Sequence, residues 1–312
     1  MKSKINIVAK SAINREQLEH RLALGADGIE IQMLDELDDS NGFPTKDWHE
    51  HIDINMLVNY PIVALHVPIS KDMIMLEHLH NVEYRTAFKN ICSLANFIGS
   101  VRETVVTVAI HSEMCYDKML KIGLLNDLTY ILDDMLSIFT WVRIAVENVV
   151  PVNYDGVDII LRNNYKFDNV TMVKYLRGFM QYGDRLGTLL DVAHAIGSKR
   201  VHNTISDVLK LDVNKSGYEL SEYYNANKDY CFGIHLANMT GFGIKSKNHG
   251  TKIDYSKESG PAIEPLVLYD AYGYSCYICP EIKEKDYNNC VNLKAAIEII
   301  RGYEKLKPLG SL

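Results

Sequence analysis

Long apolar runs are missing. None of the 312 residues falls in a stretch approaching the roughly twenty apolar positions that a membrane-spanning helix needs, so no membrane partner is expected. The opening residues, MKSKINIVAK, put charge where a secretory leader has its apolar centre, and a cytoplasmic location is expected. Cysteine is sparse: six residues are too few for a disulfide scaffold. One C-x-x-C spacing occurs, Cys276 and Cys279 in CYIC, but it lies in an apolar strand-like run without a second pair. Buried free thiols are the expectation there. Excess positive charge is missing too. The net charge of −7 argues against a broad nucleic-acid surface, though not against a small basic site. No Pro/Gly/Ser-rich linker or low-complexity block divides the chain, so one domain over residues 1–312 is expected. No glycine-rich phosphate loop follows the first apolar run, where the sequence reads AKSAINREQ. That counts against a doubly wound nucleotide-binding sheet.

What is present is a repeated alternation. Short apolar, often β-branched runs cover residues 4–10, 28–33, 61–67, 104–111, 142–149, 187–194, 232–238 and 275–282. Near-continuous apolarity suits parallel strands buried on both faces. Helical patterns fill the gaps: 15–25 behind a possible Asn14 cap, 83–99 ending at Gly99, and one long helix over 118–139. Others follow at 169–183, 204–211 and 292–306. Eight strands alternating with helices predict a (β/α)8 TIM barrel, an α/β fold.

Active sites of such barrels form at the C-terminal ends of the strands. The strand ends here are chemically alike. They carry His66, His111, Glu147, Asp191 with His194 just beyond, His235, and Glu281, and the loop after the seventh strand adds His249. Each has an ordinary alternative: a core histidine bonded to a carbonyl, a helix cap for Glu147 or Asp191, a solvated charge run for Glu281. Together they form a ring of carboxylates and imidazoles. Packed carboxylates repel, and buried charges are costly, unless a divalent cation offsets both. Mixed His and carboxylate ligands suit Zn, Mn, Co or Fe.

The order of short motifs resembles the xylose isomerase-like TIM barrel superfamily over most of the chain. GADGIEI, ALHVPIS, AVENV, LLDVAHA, GIHLANM and CPEI are similar to its strand motifs. That superfamily contains sugar phosphate isomerases and epimerases and the endonuclease IV type of apurinic-site nucleases. In the epimerase branch the resemblance implies a metal on Glu147, Asp191, His235 and Glu281, with Glu147 and Glu281 as the acid/base pair and His194 touching substrate. The partner would be a small sugar or sugar phosphate and the cofactor a divalent metal (Mn, Co, Mg or Zn). In the nuclease branch His66, His111, His194 and His249 would be further zinc ligands, and nucleic acid would be the substrate. Lys247 stands where that branch wants an aspartate. The second strand, GIEIQM, looks like the isomerase branch, with Glu30 available to line the barrel. A homo-oligomer, common in the superfamily, is left open.

Overall fold

The computed structural model describes residues 4–68, 74–149, 152–154, 159–161, 168–199, 219–239, 249–251, 253 and 263–306. A strand with apolar side chains at every position must bury both faces, and a barrel does so between its interior and a helical layer. The eight apolar runs do this. They form β1 (Val8–Ser11), β2 (Gly28–Gln32), β3 (Ile62–His66), β4 (Val106–His111) and β5 (Val142–Glu147). After a small antiparallel pair, β6 (Val152–Tyr154) and β7 (Ile159–Leu161), come β8 (Leu186–Asp191) and β9 (Cys231–Leu236). A second such pair, β10 (Asn238–Met239) and β11 (His249–Thr251), precedes β12 (Tyr277–Pro280).

The main sheet runs β1-β2-β3-β4-β5-β8-β9-β12, parallel throughout. A parallel bridge between Ile7 and Ile278, with Ile278 N–H donating to Asn6 O at 2.9 Å, brings the last strand back to the first. The expected (β/α)8 barrel is therefore the observed fold. Its interior is lined by Val8, Ala64, Ala109, Ala145, Leu189, Tyr277 and Cys279, mostly small side chains. Two larger apolar layers pack the outer strand faces against the helices.

The helices are α1 (Arg15–Ala23), α2 (Trp48–His51), α3 (Ile54–Leu57), α4 (Val82–Arg102), α5 (Tyr116–Lys121), α6 (Leu124–Ile138), α7 (Asp168–Arg177), α8 (residues 192–199), α9 (Leu220–Asn227), α10 (Glu264–Ala271) and α11 (Val291–Leu306). Asn14 caps α1 by accepting from Gln17 N–H at 3.0 Å, as its sequence suggests. Three helices differ from expectation; one of them, α7, stops at Arg177, short of the expected 183. α4 runs through Gly99 to Arg102. A Cβ at Gly99 would stand 2.7 Å from Trp141 Cβ, so this glycine allows close packing and does not end the helix. The single helix expected over 118–139 is two, broken at Gly123 with φ +76°. The helix expected at 204–211 lies outside the described residues. No helix among the described residues is long and apolar enough to cross a membrane.

Candidate metal centre

Because the strands are parallel, their C-terminal ends meet at one mouth of the barrel. His66, His111, Glu147 and Asp191 each close their strand, His235 is the penultimate residue of β9, and Glu281 follows β12 directly. Pairing register sets His111 beside Glu147 and Asp191 beside His235. The expected ring of carboxylates and imidazoles is thus assembled.

Glu147 is its centre and is almost fully buried. Its Oε2 lies 3.1 Å from His66 Nε2, 3.3 Å from His111 Nε2 and 3.5 Å from His235 Nδ1. Its Oε1 lies 3.5 Å from His194 Nδ1. Burial opposes the charge on Glu147, but His111 and His235 outweigh it and hold the carboxyl well below the ordinary range. Asp191 serves two purposes. Its Oδ1 accepts the His194 N–H at 2.6 Å and caps α8, as one ordinary alternative would have it, while Oδ2 faces the His194 ring at 3.6 Å. Asn148 clamps the Asp191 backbone from both sides, donating to its carbonyl at 2.9 Å and accepting from its N–H at 2.7 Å. His194 Nδ1 lies 2.7 Å from Asn148 O, and a carbonyl only accepts. The proton is therefore on Nδ1, and Nε2 carries the lone pair.

His235 is the most informative residue. Its Nε2 donates to Glu30, at 2.9 Å from Oε1 and 3.1 Å from Oε2. Its Nδ1, also buried, lies 2.7 Å from Glu281 Oε2 and 3.5 Å from Glu147 Oε2. Burial lowers the His235 pKa, but Glu30, with Glu281 and Glu147, outweighs burial and raises it well above the ordinary imidazole value, so the ring is charged among three carboxylates. A divalent cation in place of the Nδ1 proton would supply the same positive charge, with Nε2 still held by Glu30. One ligand atom from each of Glu147, Asp191, His235 and Glu281 falls within 4.8 Å of the others, so the set fits a divalent cation. Two further groups adjoin it: His66 with Glu147 and His235, and Glu30 with His235 and Cys279.

Two site members escape the strand-end pattern. Lys10, in β1, sends its ammonium to within 2.9 Å of Glu281 Oε1 and 3.3 Å of Glu30 Oε1. Burial pulls the Lys10 pKa down, but Glu281 and Glu30 together raise it above its ordinary value. Glu30, at 0% exposure, is held down to about 2 against the effect of burial by His235 and Lys10. Tyr277 crosses the barrel interior and donates to Glu30 Oε2 at 3.3 Å. The signal for Glu30 in the sequence is a charge inside the Ile-flanked run GIEIQ, which places it in the barrel but does not reveal its hold on His235. Burial opposes the charge on Glu281, and Lys10 and His235 hold its carboxyl well below the usual range; its side chain is 24% exposed. The backbone of His249 lies in β11, while its side chain and Lys247 lie outside the described residues.

No family model and no curated protein matches the sequence. Solved structures do match. The IolI protein with a bound zinc atom is 17% identical, with 99% of this chain and 100% of that one covered and a TM-score of 0.58. Endonuclease IV from Thermus thermophilus is 12% identical, with 95% and 99% covered and a TM-score of 0.54. D-allulose 3-epimerase from Methylomonas sp. is 11% identical, with 96% and 98% covered and a TM-score of 0.57. At these identities the likeness is one of fold. It shows that the chain shares the barrel fold of these proteins.

Proposed function

We propose that this chain is a divalent-metal-dependent isomerase or epimerase of a sugar or sugar phosphate, working by proton transfer beside a chelated carbonyl. The observation that carries the proposal is the four-residue donor group of Glu147, Asp191, His235 and Glu281, with His235 Nδ1 turned into it. The zinc-bound and epimerase neighbours in fold support it. Zn, Mn, Co and Mg all remain candidates for the metal.

When bound by these four residues, a divalent cation would polarise a substrate carbonyl and acidify the adjoining C–H. The residues themselves supply the rest. Glu147 and Glu281 act as the acid/base pair, one taking the proton and the other returning it. Glu281, the more exposed, faces the open side, and Lys10 at 2.9 Å steadies its charge. His194, its Nδ1 proton committed to Asn148, presents Nε2 to a substrate hydroxyl. Asn148, by gripping the Asp191 backbone, keeps the ends of β5 and β8 at fixed separation.

One observation favours a second reading, a zinc-dependent apurinic-site endonuclease. His66 Nδ1 lies 2.9 Å from Val67 O, so its proton is committed there and Nε2 meets Glu147 Oε2 at 3.1 Å with a lone pair. Burial and Lys10 push the His66 pKa down, which disfavours a second proton on the ring. A further cation held by His66 with Glu147 and His235 would relieve the contact, and the endonuclease IV neighbour shares the fold.

The deciding experiment is metal content by mass spectrometry on protein purified without chelator, followed by a sugar and sugar-phosphate interconversion screen and an assay on abasic DNA. About one metal per chain with sugar turnover, lost in Glu147→Gln, supports the isomerase. Two or three zinc ions with cleavage of abasic DNA would replace it with the nuclease, and no metal uptake on titration would overturn both.

A further inference from the structure

The CYIC motif does not pair with itself. Cys279 turns into the barrel interior beside Glu30 and His235, whereas Cys276, one residue before β12, joins the outer layer. There it meets Cys231, the first residue of β9, with sulfurs 3.9 Å apart.

A register shift makes this meeting. Along β8 and β9, Thr188 pairs with Cys231 but the next residue, Leu189, pairs with Gly233. Phe232 is the extra residue. It packs against the interior cluster, and Cys231 is displaced to the outer layer where Cys276 already lies. The surroundings hold both strand ends. Cys231 Sγ donates to Gly233 O at 3.0 Å, Tyr269 hydroxyl donates to Cys276 O at 2.8 Å, and Tyr274 hydroxyl donates to Tyr224 O at 2.6 Å behind them. Both cysteines are half-buried, so a small oxidant can reach them.

We propose that Cys231 and Cys276 are a redox-sensitive pair that closes to a disulfide, joining β9 to β12 at the ends opposite the candidate metal centre. A hydroperoxide is the oxidant. One thiolate attacks the peroxide oxygen, the O–O bond breaks, an alcohol or water leaves, and a sulfenic acid forms. The second sulfur attacks the first, the S–O bond breaks, and water leaves with the remaining proton. Two thiols are oxidised to one disulfide and one peroxide is reduced. Sulfurs already in contact give the second step a high effective concentration. Burial pushes the Cys276 thiol up, so closure is slow and answers sustained oxidation. The crosslink matters for the site because His235 lies four residues beyond Cys231 on β9, and Glu281 five residues beyond Cys276.

The test treats the full chain with hydrogen peroxide and maps its thiols by differential alkylation and peptide mass spectrometry. The expected result is a Cys231–Cys276 linked peptide, a mass loss of two hydrogens, and reversal by dithiothreitol. The thermal midpoint should rise by roughly 5 °C on oxidation, by restricting the unfolded chain. Cys231→Ser and Cys276→Ser should each fold and lose both the link and the rise. The proposal is overturned if both thiols remain alkylatable, if either is over-oxidised without a link, or if the link joins another cysteine.

Discussion

Glu30 Oε1 lies 2.9 Å from His235 Nε2, with both side chains fully buried. This contact holds Nε2 as a donor to Glu30 and so turns Nδ1 toward Glu147 and Glu281. Glu30→Gln keeps a hydrogen-bond acceptor but removes the charge that makes the ring a strong ligand. Its cation affinity, measured by calorimetric titration with Mn²⁺ or Zn²⁺, should fall by roughly ten-fold or more. Unchanged affinity would mean Glu30 has no influence on ligation.

Lys10 and a cation would compete for the same carboxylate, since the ammonium is 2.9 Å from Glu281 Oε1. Like charges sharing one partner repel, so Lys10→Met should bind a divalent cation more tightly, by about ten-fold. The same change leaves Glu30 and Glu281 less compensated in chelator-treated protein, which should unfold earlier than the parent chain. Thermal unfolding with and without Mn²⁺ reads both effects. A variant whose metal-induced shift is no larger than the parent's contradicts the competition.

The strand ends were legible because a parallel barrel strand is apolar until it leaves the sheet. Its first polar residue then marks both the end of the strand and a place at the mouth. His66, His111, Glu147 and Asp191 follow this rule directly. Lys10 broke the rule silently: its partner Glu281 is 271 positions away, and only barrel closure between β1 and β12 brings them together. Helix ends were less legible because glycine has two uses that look alike in sequence. At Gly123 it supplies a positive φ that breaks a helix; at Gly99 it lets Trp141 approach one that continues. The CYIC spacing brings no pair together, in keeping with the free thiols expected there, since a residue and its third successor on a strand face opposite sides.

Gly233 illustrates a third use. A Cβ there would stand 2.3 Å from Tyr277 Cζ, so the missing side chain is what lets the tyrosine cross the barrel to Glu30. The ring is buried. Gly233→Ala should destabilise by about 2 kcal/mol through overpacking, measured by urea unfolding. Tyr277→Phe, which keeps the ring and loses only the hydroxyl, should cost less than half of that. Equal costs would place the effect in the hydrogen bond and not in the packing.

Asp27 ties the start of the chain to its last helix. Its carboxylate accepts from Lys4 Nζ at 2.5 Å, Ile7 N–H at 3.0 Å and Arg301 Nη2 at 2.5 Å. Burial raises its pKa, but these donors, Lys4 first, outweigh burial and hold it below the ordinary value. A carboxyl whose folded pKa is depressed stabilises fully above its unfolded value of about 3.9, and the contribution is lost as pH falls from there through the folded value. Asp27→Asn should therefore lower the thermal midpoint at pH 7, and the gap to the parent chain should narrow as the pH is taken below 4. Because the group is partly exposed, added salt should shrink the gap at pH 7 as well. The measurement is the midpoint of both proteins in chelator from pH 7 to pH 3; a gap that stays constant would assign the loss to packing around residue 27 and not to its charge.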